Sequence, residues 1–416
     1  MFIQYIFATF FITCIILFLI IKIKYPFWNL QPVFHTYDYW RYFYWTPFIV
    51  YRYLPVKTRF CDFEQIQTTP YLECSQKDKT DLVDLLQCYY LPSERILHTI
   101  NNEYVNNYMT GHNEPAYVSL FKEKHYSRID ISGNADIVLS EIPIGAITSR
   151  PTKVFFRPTL TEYAYTESLI YYMDFLCVHR DKDIKGISRK LLQTHEYNQR
   201  KKNPNSLVSL IKKEIDLFDG VIPCVSFYTT TYYLRNIHFP SLPQHFQVFR
   251  VLKANLDVLA DFLYIQTHSD FKQTPCLFDF CVIPDLGAII ALIESELLYV
   301  YCLKSADQVY GLYFIKDVKT QFEDVEGETL NCIASVSNSS STDLFYLGFL
   351  HSLQHIIKGK KNYKMLLFEE MGHNVSLLEN WRRRHTPIFT NQTAYYLFNY
   401  IYPRTPLNPA RCLVLL

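Results

Sequence analysis

The sequence predicts a mixed α/β protein in which a central sheet is flanked by helices on both faces and preceded by an apolar N-terminal helix. Segments rich in tyrosine, phenylalanine and β-branched residues alternate along the chain with segments of helical period, a pattern typical of a sheet covered by helices. The chain has 416 residues, of which 49% are hydrophobic and 19% charged, so it is long enough for one large or two medium globular units.

The charge and cysteine content exclude several classes of protein. The net charge is +1 and the basic residues are spread along the chain, so a nucleic-acid partner is not expected. The 11 cysteines include no Cys-x-x-Cys pair, and their irregular spacing is typical of free thiols in a reducing compartment. We therefore expect neither a disulfide framework nor a metal site.

The N-terminal residues 2–21 read FIQYIFATFFITCIILFLII and carry no formal charge. About 20 apolar residues span a hydrocarbon core of about 30 Å, and no small-residue cleavage site follows, so this segment is predicted to be a transmembrane anchor. Lys22, Lys24, Arg41 and Arg52 follow the segment, and the positive-inside rule then places the rest of the chain in the cytosol. The alternative is a very apolar helix of a soluble protein.

An aromatic segment follows the predicted anchor. Residues 37–53 read YDYWRYFYWTPFIVYRY, with two arginines among the aromatic side chains. Tyrosine and tryptophan are enriched at the headgroup level of membranes, which is one interpretation; packing on the protein core is the other.

Further elements are predicted from periodicity and turn residues. A helix is expected over residues 79–91 with Thr80 as its N-cap, a strand over 136–151 that Pro143 interrupts, a basic loop over 195–206 and a helical face over 207–218. Strands are expected over 220–234 and 393–403, a hairpin over 297–315, and a helix followed by a strand over 343–370.

A short stretch near the middle of the chain carries the clearest chemical signal. Residues 173–178, MDFLCV, read as a buried strand, and Lys185, Gly186, Ile187, Ser188 and Arg189 then open a helix. A glycine turn, a helix N-terminus and two cations together suit a pyrophosphate, although a solvated helix start has the same pattern. The last N–H groups of the strand would suit an oxygen that becomes negative during acyl transfer, unless the strand is an ordinary core strand.

Five collinear segments resemble the N-myristoyltransferases, the glycylpeptide N-tetradecanoyltransferase family. YPFWNLQPV at 25–33 is similar to the family's F-W-x-T-Q-P-V, and IGAITSRP at 144–151 to its V-G-F-I-S-A-I-P. FLCVH at 175–179 matches the end of I-N-F-L-C-V-H, TTTYYLRNI at 229–237 resembles T-C-R-Y-W-H-R-S-L, and NQTAYYLFNYIYP with the final ARCLVLL resembles the family's C-terminal segment.

The resemblance implies a fold of two fused acetyltransferase-like halves that share one saddle-shaped sheet. Residues 22–235 would form the half that binds acyl-CoA, and residues 236–416 the half that binds much of the peptide. The implied activity is transfer of a myristoyl group from myristoyl-CoA to the N-terminal glycine amine of a protein. No cofactor or metal is implied, because the thioester carries the activation.

The resemblance also assigns roles to individual residues. The main-chain N–H groups of Phe175 and Leu176 would form the oxyanion hole, Thr229 would lie beside the attacking amine, and the carboxylate of Leu416 would be the base. Contacts to myristoyl-CoA would come from residues 185–189 and from Tyr25, Phe27, Trp28, Cys177 and Val178.

This chain departs from the family pattern on the peptide side. Asp174 replaces an asparagine; it would hold the substrate ammonium more tightly, share the role of base, or disturb both. Residues 92–95, Pro-Ser-Glu-Arg, replace an acidic run, and residues 390–392 replace Gly-Asp-Gly. The predicted function is therefore a membrane-anchored N-myristoyltransferase facing the cytosol. The alternatives are an inactive relative that serves as a binding or scaffold protein, and an acyltransferase of other specificity.

Three other patterns receive structural interpretations. Cys177 and His179 lie on one strand face, but a nucleophilic pair also needs an orienting group and an open cleft. The cysteines of PCLFDFC at 275–281 are expected in the core, and WRRRH at 381–385 is expected to be a solvated helix end.

Overall fold

The computed structural model describes residues 2–43, 46–91, 96–131, 134–157, 166–268, 277–306, 308–359 and 361–416. The helices are α1 (Phe2–Lys24), α2 (Gln76–Tyr89), α3 (Asn102–Met109), α4 (Ile184–Lys202), α5 (Asp257–His268), α6 (Leu286–Glu294), α7 (Thr342–Ile357) and α8 (Asn374–Arg382). The strands are β1 (Phe48–Ile49), β2 (Ile66–Pro70), β3 (Ile96–His98), β4 (Tyr117–Ile131), β5 (Asn134–Phe156), β6 (Thr166–Val178), β7 (Ser209–Glu214), β8 (Val225–Tyr233), β9 (Gln247–Arg250), β10 (Phe280–Ile283), β11 (Leu298–Ser305), β12 (Gln308–Phe322), β13 (Val325–Ser337), β14 (Tyr363–Glu369), β15 (Phe389–Phe398), β16 (Tyr400–Ile401) and β17 (Cys412–Val414).

One sheet of 15 strands runs through the described part of the chain. Its order is β17-β10-β5-β6-β7-β15-β8-β14-β13-β12-β11-β9, with β4 and β2 paired beside β5 and β3 beside β12. β6 pairs in parallel with β7, and β13 with β14, whereas most other neighbours are antiparallel. The predicted α/β architecture with one large sheet is therefore confirmed.

Strands from late in the chain lie among strands from early in the chain. β15 pairs with β7 on one side and β8 on the other, and β10 pairs with the end of β5 while β17 extends the sheet beyond it. The sheet is thus continuous across the predicted boundary at residue 235. The division of the chain into two halves at that residue stays a prediction.

Helices cover both faces of the sheet. α2 contributes Leu82 and Leu86 to the core cluster that includes Ala146 and Cys177, whereas α4 contributes Leu191 to the cluster that includes Ile147. Because successive strand residues point to opposite faces, α2 and α4 lie on opposite sides of β5. In the later part of the chain, α5 and α6 join the first of these clusters, and α7 and α8 form another with β12 and β14.

Helix α1 stands apart from this core. Its segment Gln4–Lys24 is long and apolar enough to cross a membrane, and its apolar residues are not buried against the rest of the protein. A signal sequence near an N-terminus has the same properties. The predicted apolar helix is present, and its insertion and orientation stay predictions.

One predicted element is wrong because polar residues are buried. The expected loop over 195–206 is the last part of α4, where His195, Glu196 and Arg200 are fully or nearly fully buried. Arg200 pairs with Glu196 at 3.2 Å one helical turn away and donates to the main-chain oxygens of Tyr51 and Tyr53. The charges that resembled a solvated loop therefore satisfy one another inside the protein.

The expected helical face over 207–218 is strand β7. Leu210 and Ile211 are adjacent in sequence and both buried, since β7 lies between β6 and β15 and is covered on both faces. A strand buried on both faces has no alternating pattern, so periodicity alone did not identify it.

Two smaller predictions are also corrected. Helix α2 begins earlier than expected, with Ser75 as its N-cap accepting from the Asp78 N–H, and Thr80 lies within the helix. Pro143 does not end its strand. β5 continues through it because the register with β4 shifts there, so that Phe121 pairs with Gly145 and Lys122 with Pro143. The predicted strands β8 and β15, the hairpin of β11 and β12, and the α7–β14 unit are confirmed.

Candidate functional site

A β-bulge interrupts strand β6 at the FLCVH motif. Asp174 pairs with Thr148 and Cys177 pairs with Ala146, so Phe175 and Leu176 together face the single residue Ile147. Phe175 has a φ of 52°, a conformation that bulky residues rarely adopt. The prediction that main-chain groups leave the sheet ladder at this point is consistent with this geometry, since a bulge leaves its extra residue unpaired.

The Asp174 carboxylate accepts a hydrogen bond from the bulge itself. Its Oδ1 lies 2.8 Å from the Phe175 nitrogen and 3.2 Å from the Tyr90 hydroxyl, both of which donate to it. Asp174 also accepts at its main-chain oxygen from the Thr148 hydroxyl, at 3.2 Å. The Phe175 N–H, which was assigned to the oxyanion hole, therefore donates to a carboxylate. A substrate oxygen can accept from this N–H only if the Asp174 carboxylate turns away.

Aromatic packing holds the strained residue in place. The Phe175 ring is buried, with its centroid 5.3 Å from that of Tyr90 and 5.8 Å from that of Tyr108. Strained backbone persists where the surroundings over-determine it, and it clusters at functional sites. Neither tyrosine was predicted from the sequence, because Tyr90, just after α2, and Tyr108, in α3, lie about 70 to 85 residues before the motif.

The last residues of the chain lie on the same side of the sheet. β17 pairs in parallel with β10, Leu415 is buried, and its N–H donates to the Val282 oxygen at 2.9 Å. Lys316 donates to the main-chain oxygen of Leu416 at 3.3 Å. The expected packing of the apolar CLVLL tail into the interior is thus observed.

A lysine and a tyrosine connect Leu416 to the bulge. The Lys316 nitrogen lies 4.4 Å from the centre of the Tyr108 ring. The Tyr108 ring in turn packs against the Phe175 ring. Tyr108, Lys316, Leu415 and Leu416 also line an apolar cavity of about 10 Å³, which is room for about one water molecule. Burial lowers the pKa of Lys316 to about 8, although the Glu369 carboxylate acts in the opposite direction.

Arg150 lies on β5, the strand that pairs with β6, and is buried. Its guanidinium lies 4.4 Å from the centre of the Tyr108 ring and 5.2 Å from that of Tyr172. Arg150 and Lys316 therefore both contact Tyr108, and two cations flank the group that separates Leu416 from Phe175. Neither cation was predicted from the sequence, since each is a single basic residue within a strand.

Thr229 lies in β8 beside a buried ion-pair cluster. Thr229 is paired with Glu369 of the neighbouring strand β14, and its hydroxyl lies 3.0 Å from that of Thr393. Glu369 accepts from Lys212 and from Asn331, each at 3.0 Å. Burial lowers the pKa of Lys212, but the carboxylates of Glu369 and Glu214 outweigh it and hold that pKa well above its usual value.

The opening of helix α4 is capped by a carboxylate. Asp183 precedes the helix, and its Oδ1 accepts from the Gly186 N–H at 3.0 Å. A Cβ at Gly186 would lie 2.1 Å from the other Asp183 oxygen, so the glycine permits this close approach. The Gly186 N–H therefore faces a carboxylate of the protein itself, with Lys185 exposed beside it, and binding of a pyrophosphate here stays a prediction.

The predicted donor-side aromatic residues lie close to this helix opening. The Arg189 guanidinium is 5.9 Å from the centre of the buried Phe27 ring. Phe27 packs on Trp28, which lies over Phe218 with ring centroids 4.4 Å apart. Arg189 and Phe27, though about 160 residues apart in sequence, therefore lie close together.

The structure thus brings the predicted residues into two groups. The first contains Phe175, Leu176, Asp174 and, through Lys316 and Tyr108, Leu416. The second contains Phe27, Trp28 and Arg189, and strand β6 with its Cys177 and Val178 leads from the first group toward the helix that carries Arg189. Thr229 lies in β8 beside the cluster of Lys212 and Glu369 and belongs to neither group.

The remaining predicted patterns are structural. Burial raises the pKa of the Cys177 thiol to about 12, and His179 accepts at Nδ1 from the Asp181 N–H, so they form no nucleophilic pair. Cys281 is buried in β10, while residues 275 and 276 lie outside the described residues, as do residues 92–95. Arg382, at the end of α8, is paired with Glu370. Among the described residues no group of three or more His, Cys, Asp or Glu is placed to hold a metal ion.

No family model matches the sequence, and no curated protein matches it either. Solved structures do match. Saccharomyces cerevisiae N-myristoyltransferase with bound myristoyl-CoA is similar to the chain with a TM-score of 0.64 and 12% identity, covering 93% of this chain and 90% of that one. The same yeast enzyme with bound myristoyl-CoA and inhibitors gives a TM-score of 0.63 at 12% identity, with coverage of 93% and 92%.

The chain therefore has the fold of the N-myristoyltransferases over more than nine-tenths of its length. The predicted resemblance is confirmed at the level of the fold. At this identity the likeness is one of architecture, and the activity is argued from the site.

The pKa of Lys316 makes stability depend on pH. We expect Lys316→Met to raise the free energy of unfolding at pH 7 by about 1–2 kcal/mol, because burying a charged or readily charged amine is costly. Lysine has its ordinary pKa of 10.5 when unfolded and a pKa of about 8 in the folded protein. The native chain therefore loses stability as the pH falls from 10.5 through 8, where only the unfolded state takes up the proton.

Urea unfolding of both proteins in the same detergent, from pH 7 to pH 10.5, measures this difference. The advantage of the methionine variant should be largest below pH 8 and shrink toward pH 10.5. A variant that is less stable than the native protein at pH 7 would show instead that Lys316 is charged and stabilised by Leu416.

Proposed function

We propose that this protein transfers an acyl group, myristoyl, from myristoyl-CoA to the N-terminal glycine amine of a protein. The observation that supports this best is the bulge at Phe175 and Leu176 within FLCVH, in a chain that has the N-myristoyltransferase fold. A bulge there presents main-chain donors at a fixed place, as stabilisation of a developing oxyanion requires. The yeast enzyme of that fold binds myristoyl-CoA in its crystal structures.

The proposed reaction is direct attack of the amine on the thioester. The nitrogen bonds to the carbonyl carbon, the carbonyl oxygen becomes negative and accepts from the N–H groups of Phe175 and Leu176, and the carbon–sulfur bond then breaks. The sulfur leaves as the thiol of coenzyme A after taking up a proton. No cofactor is part of this proposal, because cleavage of the thioester drives the transfer.

The amine must lose a proton before it attacks, since a terminal amine has a pKa of about 8 and is largely protonated at neutral pH. We assign this proton to the carboxylate of Leu416, whose apolar tail is packed in the core. Asp174 and Thr229 hold the ammonium beside the bulge. In this role Asp174 exchanges the Phe175 N–H for the ammonium, and the oxyanion donor is released as the peptide binds.

On the donor side, Lys185 and Arg189 bind the pyrophosphate of coenzyme A, and Tyr25, Phe27 and Trp28 provide an apolar wall beside them. The packing of Arg189 on Phe27 supports a shared surface for these groups. Residues 2–21 anchor the protein in a membrane with the remaining chain in the cytosol, where myristoyl-CoA and newly made proteins meet it.

One observation favours a second candidate. The Asp174 carboxylate already accepts from the Phe175 N–H, which suits a protein that keeps the fold as a binding or scaffold module and no longer stabilises an oxyanion. Transfer of labelled myristoyl from its CoA thioester to a panel of peptides beginning with glycine separates the two. Labelled product is expected with glycine-initiated peptides and not with matched alanine-initiated ones; tight acyl-CoA binding without product would favour the scaffold.

The donor site has its own test. The double variant Lys185→Ala/Arg189→Ala should raise the acyl-CoA dissociation constant by 10-fold or more, because each charge-assisted contact to phosphate contributes about 1.5–3 kcal/mol. Titration calorimetry measures this. Asp183→Ser is the matched control: serine keeps the helix cap but removes the carboxylate beside the proposed phosphate, so binding should tighten. Unchanged affinity in both variants would remove the phosphate site from this helix.

The assignment of the base is tested at Leu416. Adding three residues after it should lower turnover by about 100-fold or more while acyl-CoA binding stays nearly unchanged, since a general base contributes at least that factor. Asp174→Asn restores the residue of the family motif and should leave turnover within a few-fold of the native value. Normal turnover in the extended protein together with loss of turnover in Asp174→Asn would make Asp174 the base.

The topology is tested with sealed vesicles. Protease added from the cytosolic side should digest the domain, because Lys22 and Lys24 are expected to stay on that side. Protection from that side, with digestion only after the vesicles are opened, would invert the orientation.

A further inference from the structure

An exposed aromatic surface lies next to the end of helix α1. It consists of Tyr39, Trp40 and Phe43, within one 3-10 helix, Tyr39–Phe43. Their side chains are 70%, 83% and 73% exposed. Large aromatic side chains, tryptophan above all, are usually well buried in soluble proteins. Three exposed aromatic side chains within five residues therefore indicate a contact that the isolated domain does not supply.

The position of this surface is fixed by packing just beyond α1. The Tyr25 N–H donates to the Ile21 oxygen, and the Tyr25 ring stacks on Tyr37 with centroids 5.7 Å apart. The Thr36 N–H donates to the Gly220 oxygen, and the Gly220 backbone closely abuts the Tyr25 ring, so the segment is attached to the domain on its other side. Tyr39 follows Tyr37 by two residues, a reach of about 7 Å.

The charged residues at the end of α1 indicate where the headgroup layer of the membrane would lie along the chain. Lys22 and Lys24 are the only charged residues of that helix and occupy its last turn. Lysines at such an end reach toward the headgroups of a membrane, and the polar layer on each side of the hydrocarbon core is about 5–8 Å thick. Tyr25, Tyr37 and the aromatic surface then lie at the depth where tryptophan and tyrosine are enriched in membrane proteins.

We propose that the aromatic surface of Tyr39, Trp40 and Phe43 inserts into the headgroup region of the membrane that α1 crosses. This inference depends on the proposed anchor and adds a second contact to it. A single helix leaves a domain free to rotate and swing about its attachment. A second contact a short distance away holds one face of the domain toward the lipid.

The test uses the tryptophan fluorescence of the full-length protein in lipid vesicles. The chain holds four tryptophans, and the share of the emission that comes from Trp40 is the difference between the native protein and Trp40→Phe. Lipids brominated at the upper part of their acyl chains should quench this share, and the extra quenching should be lost in Trp40→Phe. Trp381→Phe is the matched control, because Trp381 is fully buried and its removal should leave the quenched share intact.

The outcomes distinguish this proposal from the anchor. Protein that fails to float with vesicles contradicts the anchor and, with it, this proposal. Protein that floats while Trp40 stays unquenched and emits as in water overturns the aromatic surface alone. Protein that floats with a blue-shifted but unquenched Trp40, and that cross-links to a second copy, also overturns it and assigns the surface to contact between copies of the chain.

Discussion

The hydrogen bond between Asp174 and the Phe175 N–H determines what the centre of this fold can do. The bulge that contains Phe175 lies in β6, the strand from which β5 and β7 extend the sheet in both directions. Its geometry is fixed by the strands on either side and by two tyrosine rings. The carboxylate can change partner, while the backbone around it cannot move without breaking the sheet. Chemistry at this point therefore depends on the charge and position of one side chain.

Around that point the protein keeps ionised groups in its interior and satisfies them in pairs. Lys212 lies between Glu369 and Glu214, and Arg200 lies between Glu196 and two main-chain oxygens. Removing one member of such a pair leaves an uncompensated buried charge, which is far more costly than removing both. Asp174 differs in that its partners are neutral donors, so a cationic ligand can compete for it.

The sequence was sufficient for the fold class, and the roles it assigns to individual residues stay predictions. FLCVH marked the strand at which the ladder is interrupted, and the apolar ending marked a tail that packs in the core. It did not reveal that Asp174 bonds to the next residue in the chain or that Asp183 caps Gly186, because each depends on a side-chain rotamer that periodicity does not encode. Lys316, Arg150 and Tyr108 were missed for another reason: Arg150 of β5 and Lys316 of β12 meet only at the Tyr108 ring of α3, and these three elements are distant in sequence. Residues 195–202 were misassigned because their polar side chains are buried in α4, and residues 209–214 because burial of β7 on both faces removes the polar–apolar alternation on which such assignments depend.

The interleaved strand order has a consequence for how the chain is made. β8 pairs on one side with β15 and on the other with β14, and β7 also pairs with β15. During synthesis, β7 and β8 therefore lack these partners until more than 130 further residues have been added. A ribosome adds about 5–20 residues each second, so these edges stay unpaired for several seconds or more during synthesis. Unpaired edges invite pairing with other chains. Correct assembly of this sheet therefore requires that β14 and β15 reach β7 and β8 before the edge of another chain does.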